Sequence, residues 1–600
     1  MTTVKRWGPP LLLLAPSLIL MAVFVYGFIA LNFQTSFTDS HTAPQATGVQ
    51  PSAFVGLENY FALLGSEAFQ HSLKNLVLYT AVFLVGTMVI GFLWAWVLER
   101  PARGEGFFRS VYLFPMAVSF IASGVVWRWL LNSNEGESAL GLNRLFQMIG
   151  LDFLQNPWWN NVTWGIAAIA IPAIWQLSGY VMALFLAGFR GIPDELREAG
   201  RIDGASEWQL YRHVIFPQLS PRRALGADHH RTHVAEGVRP DHVDLEAVEL
   251  PDQGARGRHV CVQVELRLRQ RRRGRLDPAD HRGAADHPVP RAHLAEGGRT
   301  MTTAVPAPAP TDVAPGRPVT APAGRPAQRF SAGRTVRYAI LLISLLLVLI
   351  PVYVLVVTSF KGPGDASPAR AWALPQLWTM ENWTTAWETL SPSIWRSVQM
   401  VVPASIISAF LGSMNGFVLS RWSFRGANIV FTLILFGMFI PYQAVMIPLL
   451  QLLLELQVPS GIPSLILVHV IYGIPITTLI FRNYYESVPR ELIEAARVDG
   501  AGMLRTYVSV VLPVSIPSFV VVLIWQFTSA WNDFLFAVFF SSSQNGPVTL
   551  ALNNLANGAL LQNYGVSMSG ALLASLPTLL VYIILGKYFI GGLMSGSVKG

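Results

Sequence analysis

"IPDELREAGRIDGASEWQLYRHVIFPQLSP" runs from Ile192 to Pro221, and "VPRELIEAARVDGAGMLRTYVSVVLPVSIP" runs from Val488 to Pro517, at a constant offset of 296 residues. The two stretches align without a gap, and Pro193/Pro489, Glu195/Glu491, Glu198/Glu494, Asp203/Asp499, Gly204/Gly500, Ala205/Ala501, Pro217/Pro513 and Pro221/Pro517 coincide. A match of this length marks a duplicated unit. Each copy predicts a short helix entered from proline, with acids in its first turn, where they face the positive end of the helix dipole. A D-G-A break follows, at which glycine permits a turn that a side chain would obstruct. A second amphipathic helix then ends at proline. The product is a compact helix pair on the surface of each half, shaped to enter a groove in a partner. A single such loop would equally suit a helix lying at a membrane interface; two equivalent copies favour the docking role.

The surroundings of both copies are apolar. With 52% hydrophobic and 13% charged residues in 600, the chain is too greasy for a soluble multidomain protein. A hydrocarbon layer about 30 Å thick takes roughly 20 apolar residues of helix. Four such runs occupy the first part, at Pro10–Phe33, Leu73–Leu98, Phe107–Leu131 and Thr163–Phe189. Six more follow, at Tyr338–Phe360, Val398–Leu419, Ile429–Leu453, Ile462–Phe481, Phe519–Phe540 and Ala571–Ile590. The expected fold is therefore an all-α polytopic membrane protein of two halves, with four spans in the first and six in the second.

Basic residues orient these spans. Lys5/Arg6, Arg100/Arg103 and Arg190–Arg212 fall on one side, as do Arg334/Arg337, Arg421/Arg425 and Arg482–Arg505, whereas Phe33–Ser72 and Ser541–Gly570 carry neither Lys nor Arg. By the positive-inside rule the N-terminus and both duplicated loops are cytoplasmic. The apolar run after Arg6 is long enough to span and has no clean cleavage site, so it is expected to stay in the protein. The lone Cys261 excludes an intrachain disulfide framework or a Cys-based zinc site.

The duplicated loop resembles the EAA loop of ABC importer permeases of the maltose-type carbohydrate family. Further stretches share that likeness: "FRSVYLFPMAVSFIASGVVWRWLLN" (Phe108–Asn132) is similar to the third span of the first permease of such importers. "IPYQAVMIPLLQLL" (Ile440–Leu453), "WNDFLFAVFF" (Trp531–Phe540) and "KYFIGGLMSGSVKG" (Lys587–Gly600) are similar to its partner. Gly200 and Phe216 depart from the pattern, which prefers Ala and Leu there. The resemblance implies two type I importer permeases in one chain. Glu198, Ala199, Asp203 and Gly204, with Glu494, Ala495, Ala496, Asp499 and Gly500, would be the coupling loops that dock on a cytoplasmic ABC ATPase dimer. An extracytoplasmic sugar-binding protein would deliver the carbohydrate, and the chain would sit multi-pass in a bacterial plasma membrane among its lipids. Neither half carries the G-x-x-x-x-G-K-[ST] phosphate loop. Catalytic residues, metal and cofactor are therefore expected to be absent from this chain, with ATP and Mg on the partner ATPase. Trp531, Asn532 and Asp533 are candidates for the substrate path, since aromatic faces and amides suit sugars; a membrane-interface anchor, a helix cap or an interhelical pair are the competing roles.

Between the halves the composition changes. The chain divides into a first half over 1–221, truncated after four spans and its duplicated loop, an odd segment over 222–300, a Pro/Ala-rich lead-in over 301–336 and a second half of six spans with its duplicated loop over 337–600. The odd segment has no hydrophobic run, no Lys and no aromatic residue, yet holds 8 of the 12 His. GC-rich DNA read out of frame has this composition. Read one base later, Arg222–Leu245 and Asp277–Pro290 admit apolar spans, and the codons of Met301 and Thr302 contain a stop where a second start stands. The segment is accordingly read as a frameshift product joining two overlapping genes. "RLRQRRRGR" (Arg267–Arg275) as a nucleic-acid arm lacks interleaved aromatics, and "DHHRTH" (Asp228–His233) as a metal site lacks a scaffold.

The function expected is the permease component of an ATP-driven carbohydrate importer working by alternating access. A secondary transporter with two repeated halves is the alternative, disfavoured because intramembrane acids are nearly absent. The frame reading has a direct check: the source DNA should show one extra base, or two missing, near codon 221. A verified continuous frame yielding an ordered domain over 222–300 would refute it.

Overall fold

The computed structural model describes residues 3–39, 45, 51–100, 103–219, 332–422, 424, 426–557 and 563–595, all within one unit. The stretch read above as out of frame lies outside the described residues.

Each apolar run becomes helix, because hydrocarbon offers no partner for backbone amides and carbonyls and the helix satisfies its own. In the first half these are α1 (Gly8–Thr35), α2 (Glu67–Glu99), the pair α3 (Glu105–Ala117) and α4 (Phe120–Leu130), and α5 (Gly165–Arg190). The duplicated loop follows as α6 (Asp194–Ile202) and α7, whose continuous turns are Glu207–Leu210, Tyr211–Ile215 and Phe216–Leu219. The second half contains α8 (Ala332–Ser359), α9 (Glu381–Arg421), α10 (Ala427–Phe436), α11 (Tyr442–Glu455) and α12 (Ile462–Ser487). Its duplicated loop is α13 (Arg490–Val498) and α14 (Met503–Val514), followed by α15 (Ile516–Trp531), α16 (Leu535–Phe540), α17 (Val548–Asn557) and α18 (Tyr564–Ser595). Among the described residues, seven single helices and two bent pairs are long and apolar enough to cross a membrane. Helix α9 has 41 residues and so runs roughly 60 Å, well beyond the hydrocarbon layer. Its early turns carry the exposed Trp387 and Trp395, placed as interfacial aromatics are.

Three runs that read as single spans are interrupted. The expected span Phe107–Leu131 is the pair α3 and α4, bent by 97°. Pro115 lies in the last turn of α3, and the backbone groups freed at the bend find side chains from other helices. Gln176 donates to the Val118 carbonyl at 2.6 Å, Thr578 to the Ala117 carbonyl at 2.5 Å, and the Ser119 amide donates to Ser575 Oγ at 3.5 Å. The expected span Ile429–Leu453 is split into α10 and α11 by Gly437–Pro441. In the expected span Phe519–Phe540, α15 stops at Trp531 and α16 resumes at Leu535; α15 itself meets α14 at 76°.

Neither half closes on itself. Helix α1 packs against α9 and α12 of the second half, where Asn415 donates to Ser17 Oγ at 2.9 Å and Tyr26 donates to the Leu433 carbonyl at 2.6 Å. In return α8 packs against α3 and α4 as well as α18. There Tyr112 donates to the Leu341 carbonyl at 2.8 Å and Trp175 Nε1 to the Val348 carbonyl at 3.0 Å. Leu13, Leu14, Met21, Phe24 and Phe28 accordingly lie in the core of the second half, and Leu341 and Val348 in that of the first.

Within each half the second long span lies along the fourth, α2 on α5 and α9 on α12. Small residues permit the close approach: a Cβ on Gly416 would lie 2.7 Å from the Arg482 backbone nitrogen. Such contacts bring backbones together where lipid supplies no hydrophobic drive between helices. Gly416→Leu should therefore force α9 from α12 at a cost on the order of 1–3 kcal/mol or more, read as a lowered melting temperature of the detergent-purified chain. An unchanged melting temperature would contradict this packing.

Candidate functional site

The two duplicated loops take the same backbone course. Helix α6 ends with the Asp203 amide donating to the Ala199 carbonyl at 3.0 Å, Gly204 to Arg201 at 3.1 Å and Ala205 to Gly200 at 3.0 Å. Helix α13 ends with Asp499 donating to Ala495 at 3.0 Å, Gly500 to Arg497 at 3.0 Å and Ala501 to Ala496 at 2.9 Å. The last two bonds of each set form a Schellman cap, which needs a left-handed residue just past the helix end. Gly204 supplies it with φ +80° and Gly500 with φ +76°. A Cβ would meet nothing within 4 Å at either position, so backbone conformation rather than space selects glycine. After the turn both second helices pass through a π-helical segment at equivalent places, Tyr211–Ile215 and Tyr507–Val511.

The structure brings the proposed loop residues to the surface in matched positions. Glu198, Ala199, Asp203, Gly204, Glu494, Ala495, Asp499 and Gly500 are exposed, while Ala496 faces inward. The motif reading overlooked the apolar residues beside them. Ile202 and its mate Val498 are 85% and 86% exposed, and Leu196/Leu492 and Trp208/Leu504 are exposed at the same offset. Alignment of the copies contained this signal, since an apolar residue before D-G that faced inward would not need to differ in shape between them. Each loop thus carries three solvent-facing apolar side chains framed by acids, as protein interfaces do at their anchors.

Each loop is tied to the span above it by different chemistry. In the first half, Glu99 at the end of α2 pairs with Arg197 and accepts a hydrogen bond from Tyr211. Burial first, and then the Glu99 carboxylate, push the Tyr211 hydroxyl far above its usual range, so it stays protonated and remains a donor. Arg100 and Arg201 both reach Glu207, at 2.9 and 3.4 Å. In the second half, Arg421 at the end of α9 donates to the carbonyls of Tyr485 and Val488, and Ser413 shares hydrogen bonds with Tyr485 and Tyr507 at 2.6 and 2.9 Å. The guanidinium of Arg497 stacks over Trp422 at 5.7 Å. In both cases the loop is bonded directly to a membrane-spanning helix.

Trp531, Asn532 and Asp533 lie at the break between α15 and α16, packed in the interior. Trp531 is 1% exposed and donates from Nε1 to the Ala574 carbonyl at 2.8 Å. Asp533 Oδ1 accepts from the Phe536 amide at 3.4 Å, and Oδ2 lies 3.6 Å from His469 Nε2. These bonds hold Trp531 and Asp533 at the break, while Asp533 Oδ2 and Asn532 Oδ1 are buried without a hydrogen-bond partner. A cavity of about 400 Å³ opens elsewhere, between α4 of the first half and α17 and α18 of the second, and none of the three residues lines it. Among the described residues, no cluster of three or more His, Cys, Asp or Glu side chains has the makings of a metal site.

Residues 87–226 and 402–593 each match the family of binding-protein-dependent transport system inner membrane components. A xylose/arabinose import permease of Haloferax volcanii is 36% identical over 283 residues, which cover 43% of this chain and 92% of that protein. A melibiose/raffinose/stachyose import permease of Bacillus subtilis is 32% identical, covering 42% and 91%. A probable ABC transporter permease of Pyrococcus horikoshii is 48% identical over 177 residues, covering 29% of this chain and 64% of that protein, just short of two thirds of its length. A solved chain from a bacterial ABC transporter involved in import of the acidic polysaccharide alginate matches 43% of this chain at 22% identity with a TM-score of 0.38, too slight a likeness to argue from.

Proposed function

The chain belongs to the family of binding-protein-dependent transport system inner membrane components, and we propose that it forms the membrane path of an ATP-driven sugar importer, both permease halves being carried on one polypeptide. Relatives named as permeases for xylose/arabinose and for melibiose/raffinose/stachyose support sugar as the cargo class. The chain is a transporter component and hydrolyses nothing itself; ATP and Mg belong to a separate ATPase. A secondary transporter reading has nothing further in its favour.

The observation that carries the coupling assignment is the duplicated loop with its matched caps and matched exposed side chains. Ile202 and Val498, flanked by Glu198/Asp203 and Glu494/Asp499, form two equivalent knobs suited to two equivalent grooves of an ATPase dimer. Closure of that dimer on ATP would draw the loops together. Through Glu99–Arg197 and through Arg421, the pull would reach α2 and α9 and reorient the halves, passing sugar from an extracytoplasmic binding protein to the cytoplasm.

Gly500→Arg removes the left-handed turn, at a cost of about 1–2 kcal/mol confined to the loop, and Val498→Asp removes a knob without touching the core. Both should leave membrane insertion and binding-protein docking intact while abolishing ATPase co-purification and ATP-dependent uptake in vesicles. Unchanged uptake and ATPase retention in both variants would sink the coupling assignment.

The basic residues place these loops in the cytoplasm. Helix α8 then carries the chain across, so a cysteine at the exposed Trp378 should react with an impermeant maleimide from outside intact cells, and one at Ile202 only after lysis. The reverse pattern would overturn the orientation.

A further inference from the structure

The cavity between α4, α17 and α18 has the chemistry of a sugar site, and it stands apart from the packed Trp531–Asp533 break. At about 400 Å³ it falls at the small end of the roughly 300–1,000 Å³ typical of small-molecule pockets. Its walls come from both halves, so any motion of one against the other changes its shape. It also lies far from the coupling loops. Trp159 precedes the N-terminal end of α5 and α6 follows the C-terminal end; 26 residues of helix lie between, roughly 39 Å.

The lining supplies flat apolar faces. Trp129 and Tyr564, one from each half, stack with ring centroids 5.5 Å apart and planes 20° apart, and the half-exposed ring of Trp159 borders the opening. Between them stand groups that both donate and accept. Arg128 Nη1 donates to Asn557 Oδ1 at 2.6 Å across the two halves, and Asn557 Nδ2 donates to Asn553 Oδ1 at 2.9 Å. Trp129 is 5% exposed, and its Nε1 is a buried donor with no hydrogen-bond partner. Buried donors are almost always satisfied, so this one is held ready for an acceptor that enters the cavity.

Charge narrows the ligand. Among the described residues no carboxylate lines the cavity, which disfavours cations. The one cation among those lining residues, Arg128, sits in the last turn of α4, where the negative end of the helix dipole offsets its charge. Amides rather than further cations fill the remaining polar positions. Hydroxyl groups, which donate and accept at once, match such a lining, and sugar ring faces match the aromatic walls.

We propose that this cavity binds a small neutral sugar in transit, its ring face on the half-exposed Trp159 beside the stacked Trp129/Tyr564 pair, with its hydroxyls displacing the Arg128–Asn557 hydrogen bond and accepting from Trp129 Nε1. The site rests on the import reading above for its ligand class. Because the ligand breaks a bond that joins the two halves, occupancy loosens them at this point.

The test uses the full chain in lipid nanodiscs with diazirine-bearing xyloside and glucoside probes and a matching glucuronide. Neutral probes should label peptides within 120–132 or 548–568, with displacement by excess free sugar. Trp159→Ala and Asn553→Ala should each cut that labelling about tenfold with no change in melting temperature, and Trp159→Phe should restore most of it. Absence of displaceable label, label elsewhere, label indifferent to these variants, or preference for the glucuronide would each overturn the proposal. A chain that, together with its ATPase and binding protein, imports sugar into vesicles yet labels elsewhere overturns this site alone, whereas one that labels here and moves no sugar with those partners present overturns the transport reading alone.

Discussion

The hydrogen bond from Asn415 to Ser17 joins two fully buried side chains on helices that belong to different halves, and much of the architecture depends on contacts of its kind. An amide in hydrocarbon without a partner costs several kcal/mol. Asn415 Nδ2 donates to Ser17 and to Thr478 at 3.0 Å, so removing α1 would leave one of its two N–H groups without a partner inside the second half. The reciprocal bonds of Tyr112 and Trp175 to carbonyls of α8 bind the first half in the same way. Neither half is a complete folded body without the leading span of the other. In the proposed transport cycle the moving unit would therefore be a half with a borrowed helix.

Onto that framework the duplicated loops are attached by unlike means. The caps at Gly204 and Gly500 agree to within 0.1 Å in all three hydrogen bonds, whereas the ties to the spans differ, an ion pair with tyrosine in one half and arginine to carbonyls in the other. The shared part is what a twofold partner would contact. The divergent part faces inward, where each half has its own neighbours.

The sequence made the loops legible because a left-handed turn in this cap demands glycine, and a proline entry with acids demands an exposed helix start; these are local rules. The run Phe107–Leu131 read as one span because its composition is predominantly apolar, with Arg109 and Arg128 only near its ends. The 97° bend there depends on Gln176, Ser575 and Thr578, three side chains that are remote in sequence, and no window of α3 and α4 contains them. Trp531, Asn532 and Asp533 drew notice as sugar-binding types, and the structure puts them at a helix break, where Trp531 donates to the Ala574 carbonyl and Asp533 accepts from the Phe536 amide; none of them lines the cavity. The cavity went unseen for the same reason as the bend: Arg128 and Asn557 are 429 residues apart, and neither belongs to a motif.

The exchange of leading spans also sets a clock on biogenesis. Ser17 and Asn415 are separated by 398 residues, so at roughly 5–20 residues per second of synthesis helix α1 enters the bilayer roughly 20–80 seconds before its partner is made. During that interval its buried face looks onto lipid or onto whatever holds it there. Ser17 is a modest polar group for a helix to carry alone, whereas the costlier amide of Asn415 arrives last, when a partner already waits in the membrane. Helix α8 has the opposite schedule toward the first half, since α3 and α4, against which it packs, are already in place when it emerges.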